Sequence, residues 1–230
     1  MDHNMMTTNK DHPEIVLLAS ASPRRSELLN QIKVRHLVIH VPAGAGEDEP
    51  RLDGETPLDY VQRTASDKSE RARRWILMPE AEQQLKTPSA LASLAPTSTC
   101  ITDQPSIILT ADTTVCIGHD ILGKPQDEED ARAILKRLSG STHLVHTAVV
   151  VCRGSRHWTA LSSTEVIFDT LSDGEIDRYV ASGEPFGKAG AYGIQGIAAA
   201  YIKQIKGSYS GVMGLPLYET AKLLRAASES

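Results

Sequence analysis

The residues of this sequence best suited to handling a phosphate anion and a hydrolytic proton all stand at loop positions. Ser20, Ser22, Arg24 and Arg25 gather where an apolar run gives way to a helix start. Glu47, Asp48 and Glu49 share a glycine-rich loop, Asp112 interrupts a β-rich run, and Lys124 and Lys188 lie in glycine-containing segments. A helix N-terminus presents free N–H groups and a positive dipole end, and adjacent arginines add forked donors that match phosphate oxygens. Cations beside carboxylates suggest phosphate plus metal. Arginines in a first helical turn oppose the dipole at a cost of roughly a few tenths of a kcal/mol, which a bound anion would offset. Spacing alone leaves open the alternative that Arg24 and Arg25 are solvated first-turn side chains.

Four other patterns carry less. Gly118–Lys124 has the spacing G-x-x-x-x-G-K, but Pro125 stands where a phosphate-binding loop needs Ser or Thr for its magnesium, so only contact of Lys124 with phosphate survives from that motif. Gly187, Gly190, Gly193 and Gly196 recur every third residue without forming G-x-G-x-x-G, which points to tight packing or close ligand approach. His143 and His146 are three apart on an expected strand and so face opposite ways, which argues against a paired metal site. Gly207–Gly211 has the outline of a nucleophile elbow, but its centre is Tyr209, and no Ser-His-Asp hydrolase set is supported.

The elements that must position these groups are read from periodicity. Glu14–Ala19 is an expected buried strand, followed at once by a helix with Ser22 as cap, Pro23 at its first position and Leu28, Leu29 and Ile32 inward. Val34–Pro42 reads as a second strand. Thr56-Pro57 opens a helix to about Leu77, with Leu58, Val61, Ala65 and Ala72 inward. Residues 78–104 lack a sustained period and are expected to be a surface insertion.

Ser106–Thr110 and Thr114–Ile117 are β-rich on either side of Asp112, which is thereby delivered at the end of, or within, a buried strand. Asp127 caps a helix to about Leu138 that Gly140 ends. His143–Cys152 and Trp158–Phe168 form a hairpin across residues 153–156, and Ser172–Glu175 is a capping box for a helix to about Ala181. Gly183–Gly196 is a loop, Ala198–Lys206 a late strand and Leu215–Ala227 a closing helix. This mingling gives an α/β class with a mixed β-sheet and flanking helices rather than strict βαβ alternation. A polar tail over residues 1–12 precedes one domain over residues 13–228.

Composition narrows the class further. The chain of 230 residues is 40% hydrophobic and 23% charged, an ordinary globular balance. Its net charge of −5 argues against binding nucleic acid through an overall positive field. No run approaches a membrane span, the opening segment lacks the apolar core of a secretory signal, and Cys100, Cys116 and Cys152 are expected to be reduced thiols. A cytoplasmic protein without membrane partners is the expectation.

Five separated motifs taken together resemble the Maf family of nucleoside triphosphate pyrophosphatases. They are Leu18–Arg25 with Glu27-Leu28-Leu29, Ala111-Asp112-Thr113, Gly123-Lys124-Pro125, Leu138-Ser139-Gly140 with His143, and Ala189–Gly196. The resemblance runs in order from about Ile15 to Leu224. It implies a two-lobed fold with a deep central cleft, related to the inosine triphosphate pyrophosphatases, and a homodimer. It implies hydrolysis of a nucleoside triphosphate between the α- and β-phosphates, with Mg²⁺ or Mn²⁺ as cofactor. Arg24, Thr113 and Gln195 occupy the positions that separate a dTTP- and UTP-hydrolysing branch from one acting on 7-methyl-GTP, and they match the former.

In the roles the resemblance implies, Asp112 accepts the proton of the attacking water, holds the metal, or does both. Glu49 is the first metal-ligand candidate, while Glu47 and Asp48 are solvated loop charges. Arg25, Lys124 and Lys68 cradle the triphosphate and offset charge on the leaving group, and Ser20 and Arg24 line the substrate. Gln195 offers a donor and an acceptor to a pyrimidine edge. One departure stands out: Gly187 precedes Lys188 where the family commonly has Asp, which puts the role of Lys188 in doubt. Two rivals remain, a nucleotide-binding regulator of septum formation without turnover and the same chemistry on a 7-methyl-GTP-like substrate.

Overall fold

The computed structural model describes residues 15–42, 50–85 and 106–229. The polar tail, Glu47, Asp48, Glu49, Cys100 and most of the expected insertion lie outside the described residues. A strand β1 (Val16–Ala19) leads through Ser20–Ser22 into helix α1 (Pro23–Gln31), then β2 (His36–Ile39), α2 (Pro57–Trp75) and α3 (Pro79–Leu85). Strand β3 (Ile107–Ile117) turns into the short β4 (Asp120–Leu122), followed by α4 (Glu128–Leu138) and the hairpin β5 (Thr142–Arg153) and β6 (Arg156–Phe168). The chain closes with α5 (Asp173–Ala181), two 3₁₀ turns, β7 (Ile202–Lys206), α6 (Tyr209–Val212) and α7 (Leu217–Ser228).

The sheet is mixed, as the pattern predicts, with order β2-β1-β3-β5-β6-β7 and β4 paired to β3. The β1–β2 and β1–β3 pairs are parallel and the rest antiparallel. Because side chains alternate across a strand, each residue's parity decides its face. Val16 and Leu18, Ile107 and Leu109, and Val149 and Val151 pack with Leu28 and Leu29 of α1, Leu135 and Leu138 of α4 and Ile176 of α5. On the other face Leu17, Ile108 and Cys152 meet Ala72 and Trp75 of α2 and Ala81 of α3, while Ala148 and Val150 meet Val61 and Ala65.

The local signals hold where they are strongest. Thr56, Asp127 and Ser172 cap α2, α4 and α5 by accepting from the backbone N–H three residues on, and the Ser172–Glu175 capping box is complete. His143 and His146 face opposite sides of β5, His143 toward Tyr192 and His146 toward Ser163. Cys116 and Cys152 are free thiols, and burial pushes both up.

Of the two positions expected for Asp112, at the end of a buried strand or within one, the second holds, since both β-rich runs belong to β3. Other expectations need correction. Ala198–Tyr201 is a 3₁₀ turn, so the late strand begins only at Ile202. The expected insertion opens as helix α3, which buries its Ala81 fully, and Leu58 is 37% exposed rather than inward. Ser22 makes no side-chain cap; its N–H donates instead to Ser20 Oγ at 3.2 Å.

One irregularity of the sheet matters for chemistry. The β1 register with β3 ends at the Leu18–Leu109 pair, and the β4 register begins only at the Leu122–Val115 pair. Residues 110–114 of β3 therefore border a notch between the end of β1 and β4, and the residues following β1 and β4 converge there. Asp112 points from this notch toward α2, and Thr113 toward α1.

Candidate active site

Asp112 sits at the notch with its side chain 13% exposed. A carboxylate this buried costs several kcal/mol unless paired. Its partners come from one face of α2, where a four-residue spacing stacks two side chains one turn apart. Thr64 donates its hydroxyl to Asp112 Oδ2 at 2.8 Å, and the Lys68 ammonium pairs with Oδ1. Lys68, which its charged neighbours would place on a solvated helix face, thus turns inward to the aspartate.

On the opposite side of β3, Arg25 is tied in place by three donors. Nε donates to Gly214 O at 2.8 Å, Nη1 to Ser20 Oγ at 3.0 Å and Nη2 to Thr113 Oγ1 at 3.4 Å. Burial lowers the Arg25 pKa, and the charge of Asp112 pulls it back up. Thr113 is held in turn by Thr147 at 3.0 Å, whose hydroxyl donates to Gly211 O at 2.8 Å. The segment outlined like a nucleophile elbow thus contributes the Gly211 carbonyl, and Gly214, just beyond α6, contributes the other.

Arg24 points elsewhere. A Cβ placed on Gly193 would lie 2.8 Å from Arg24 Nη2 and 3.1 Å from Lys188 Cε, so both cations lie against the glycine turn that carries Gln195. Lys188 donates its ammonium to the Glu184 carbonyl; burial first, and the neighbouring Arg24 second, lower its pKa. Gln195 is exposed at the crest of this turn. Lys124 is an exposed residue just beyond β4, and the antiparallel direction of β4 carries it along the edge of β3 toward Thr113. The Gly190 N–H donates to Gly123 O at 3.0 Å, fastening the Lys124 loop to the glycine turn.

The structure therefore unites Ser20, Arg25, Lys68, Asp112 and Thr113, and it places Arg24 and Gln195 in an adjoining group reached through the first turn of α1. Glu49 lies outside the described residues. Thr64, Thr147 and Gly214 were not legible as site residues. For Thr64 a signal existed, its four-residue spacing from Lys68 within the apolar stripe of Val61 and Ala65.

As chemistry, a fixed carboxylate beside a forked cation suits water activation next to a phosphate. No group of three His, Cys, Asp or Glu side chains able to hold a metal occurs among the described residues. Nor is any helix among them long and apolar enough to cross a membrane.

Known proteins resemble this chain along nearly its whole length. The family model described as Maf-like protein matches residues 15–227. A dTTP/UTP pyrophosphatase of Bordetella avium (strain 197N) is 51% identical over 217 residues, covering 94% of this chain and 97% of its own. Proteins of the same name from Cupriavidus metallidurans, 50% identical with 93% and 96% covered, and Ralstonia nicotianae, 48% identical with 97% and 99% covered, match equally broadly. The chain belongs to the Maf-like protein family.

Proposed function

We propose that this Maf-like chain hydrolyses dTTP and UTP to the nucleoside monophosphate and pyrophosphate. The observation that carries the reading is the Asp112 carboxylate, held at an open notch by Thr64 and Lys68 with the Arg25 guanidinium on the other side of the strand. Relatives named dTTP/UTP pyrophosphatase at about half identity over nearly the full chain support the substrate.

Asp112 takes the proton from the water that attacks the α-phosphorus. The bridging oxygen then leaves with the β-phosphate, and the product is pyrophosphate. Thr64 and Lys68 hold the carboxylate still, so its basic oxygen needs no reorganisation at the moment of attack. Arg25 spends three of the roughly five donors of a guanidinium on the protein, leaving the others for phosphate oxygens. Lys124 and Lys68 offset the charge that grows on the leaving group, and Ser20 keeps Arg25 aimed. Arg24, Thr113 and Gln195 are assigned to substrate selection.

A divalent cation, Mg²⁺ or Mn²⁺, fits this donor set as a metal shared with substrate. Such ions need only one or two protein carboxylates when triphosphate oxygens and water complete the shell. Asp112 and Glu49 would hold it. When bound it neutralises phosphate charge and polarises the scissile bond. A homodimer, which the family resemblance implies, and a cytoplasmic setting are part of the proposal. Sedimentation equilibrium tests the first and cell fractionation the second.

The deciding assay is pyrophosphate release from dTTP, UTP, the purine triphosphates and 7-methyl-GTP, with Mg²⁺ or Mn²⁺ and with chelator. Cation-dependent release from dTTP and UTP is expected. Binding without turnover across the panel would overturn the enzyme reading.

A further inference from the structure

The turn bearing Gln195 is held from both ends by one carboxylate–phenol pair. Residues 193–196 close a β-turn through the Gly196 N–H to Gly193 O bond of 3.0 Å, which places Gln195 at its third position. At the entry, the Gly193 N–H donates to Tyr179 Oη at 3.3 Å. At the exit, the Ile197 N–H donates to Glu184 Oε2 at 2.8 Å and the Ala198 N–H to Oε1 at 3.4 Å. The circuit closes where Tyr179 donates its hydroxyl to Glu184 Oε1 at 2.8 Å.

The fit around this carboxylate is tight. A Cβ on Gly196 would lie 2.2 Å from Glu184 Oε2, so only glycine admits the group at that distance. Burial alone would raise the Glu184 pKa, but the donors from Ile197, Tyr179 and Ala198 outweigh it and leave the group below its ordinary value. Glu184 is also the only carboxylate between Gly183 and Gly196. Gly187 does not compete for the role: its φ is +72° and a Cβ there would meet nothing within 4 Å.

We propose that Glu184 is a positioning residue that sets base selection by fixing the Gln195 turn, an inference that rests on the assignment of Gln195 to the base. A side-chain amide reads a pyrimidine edge only if its backbone is held to a fraction of an ångström, because a misplaced amide loses one partner of each hydrogen bond. Three backbone N–H groups bonded to one carboxylate and the phenol attached to it supply that fixity. The carboxylate itself never touches substrate.

The test compares kcat and KM for UTP, dTTP, ATP and GTP in the wild type, Gln195→Ala, Glu184→Ala, Glu184→Gln and the double variant Glu184→Ala/Gln195→Ala. Both alanine variants are expected to lower the pyrimidine-over-purine ratio of kcat/KM by about tenfold or more, chiefly through KM. Glu184→Gln, which keeps an acceptor oxygen for the Ile197 N–H, should retain part of the ratio. The double variant should lose no more of it than Gln195→Ala alone, since the two act through one turn. If Gln195→Ala collapses the ratio and Glu184→Ala leaves it intact, the positioning role falls while the base assignment stands. If neither moves it, the base assignment falls and takes this inference with it. An equal loss for every substrate would mark Glu184 as merely structural and overturn the proposal. Should Glu184→Ala fail to fold, Tyr179→Phe removes only the hydroxyl linking Glu184 to Gly193, and an unchanged ratio there is equally decisive.

Discussion

Two adjacent arginines that look alike in sequence are chemically different in the fold. Arg25 is fixed by a carbonyl and two hydroxyls, whereas Arg24 takes no hydrogen-bond partner among the described residues and lies against Gly193 and Lys188. Arg25 thus belongs with Asp112, and Arg24 with the Gln195 turn. The sharpest expectation at this scale concerns Asp112→Asn. The amide keeps the size of the carboxylate but can neither take a proton nor form an ion pair with Lys68, so turnover should fall by about 10²- to 10⁴-fold, the range of a lost general base. Because the Lys68 side chain is 37% exposed, its unpaired charge returns to water and the melting temperature should change little. Nucleotide binding by equilibrium fluorescence should persist. A wild-type rate of pyrophosphate release would remove Asp112 from the mechanism.

Elements are where the glycine turn meets the sheet. Gly190 has φ +71°, and a Cβ there would come 2.8 Å from Val115 Cγ1 of β3. Gly190→Ala therefore combines a left-handed backbone, costing about 1–2 kcal/mol, with overpacking of about 1–3 kcal/mol. A denaturation midpoint lowered by that sum is expected, and a loss below about 1 kcal/mol would mean that β3 and the turn shift apart freely. The same contrast explains what the sequence revealed. Caps at Thr56, Asp127 and Ser172 and the β5–β6 hairpin were legible because their signals lie within a few residues. Whether Asp112 ends β3 or lies within it was not, since that depends on Thr64 and Lys68, which α2 supplies from more than forty residues away. Short β4 was masked by a look-alike phosphate loop, and Ala198–Tyr201 reads as strand although Glu184 holds its N-terminal amides in a 3₁₀ turn. Of the site, Arg25 and Asp112 stood out by residue type and position, Lys68 and Gln195 only by resemblance, and Tyr179 and Glu184 by neither, because clamps of this kind leave no local pattern.

For the molecule as a whole, the ring cluster of His143, Phe168 and Tyr192 should make stability depend on pH. His143 is 1% exposed, its Nε2 bonded to Tyr192 Oη at 2.8 Å and its ring edge-on to Phe168 and Tyr192, while Nδ1 has no partner among the described residues. Burial pushes its pKa down to about 4, so the folded chain keeps it neutral where an unfolded chain would protonate it near 6.5. The unfolded state then binds more protons between those values, and stability is full above about pH 6.5 and drains as pH falls toward 4. From pH 7 to pH 5 the loss from this one group is about 2 kcal/mol. His146 is lowered by burial as well and acts in the same direction. The cluster joins β5 and β6 to the glycine turn inside the main core, so the loss should appear in global unfolding rather than as local fraying. Urea denaturation of the wild type and His143→Gln at pH 7 and pH 5 isolates the effect, because glutamine can still bond Tyr192 but does not titrate. The variant should start less stable yet lose about 2 kcal/mol less on acidification. Equal pH slopes in the two proteins would mean that His143 is protonated in the fold and that the charge is met by a partner other than Tyr192.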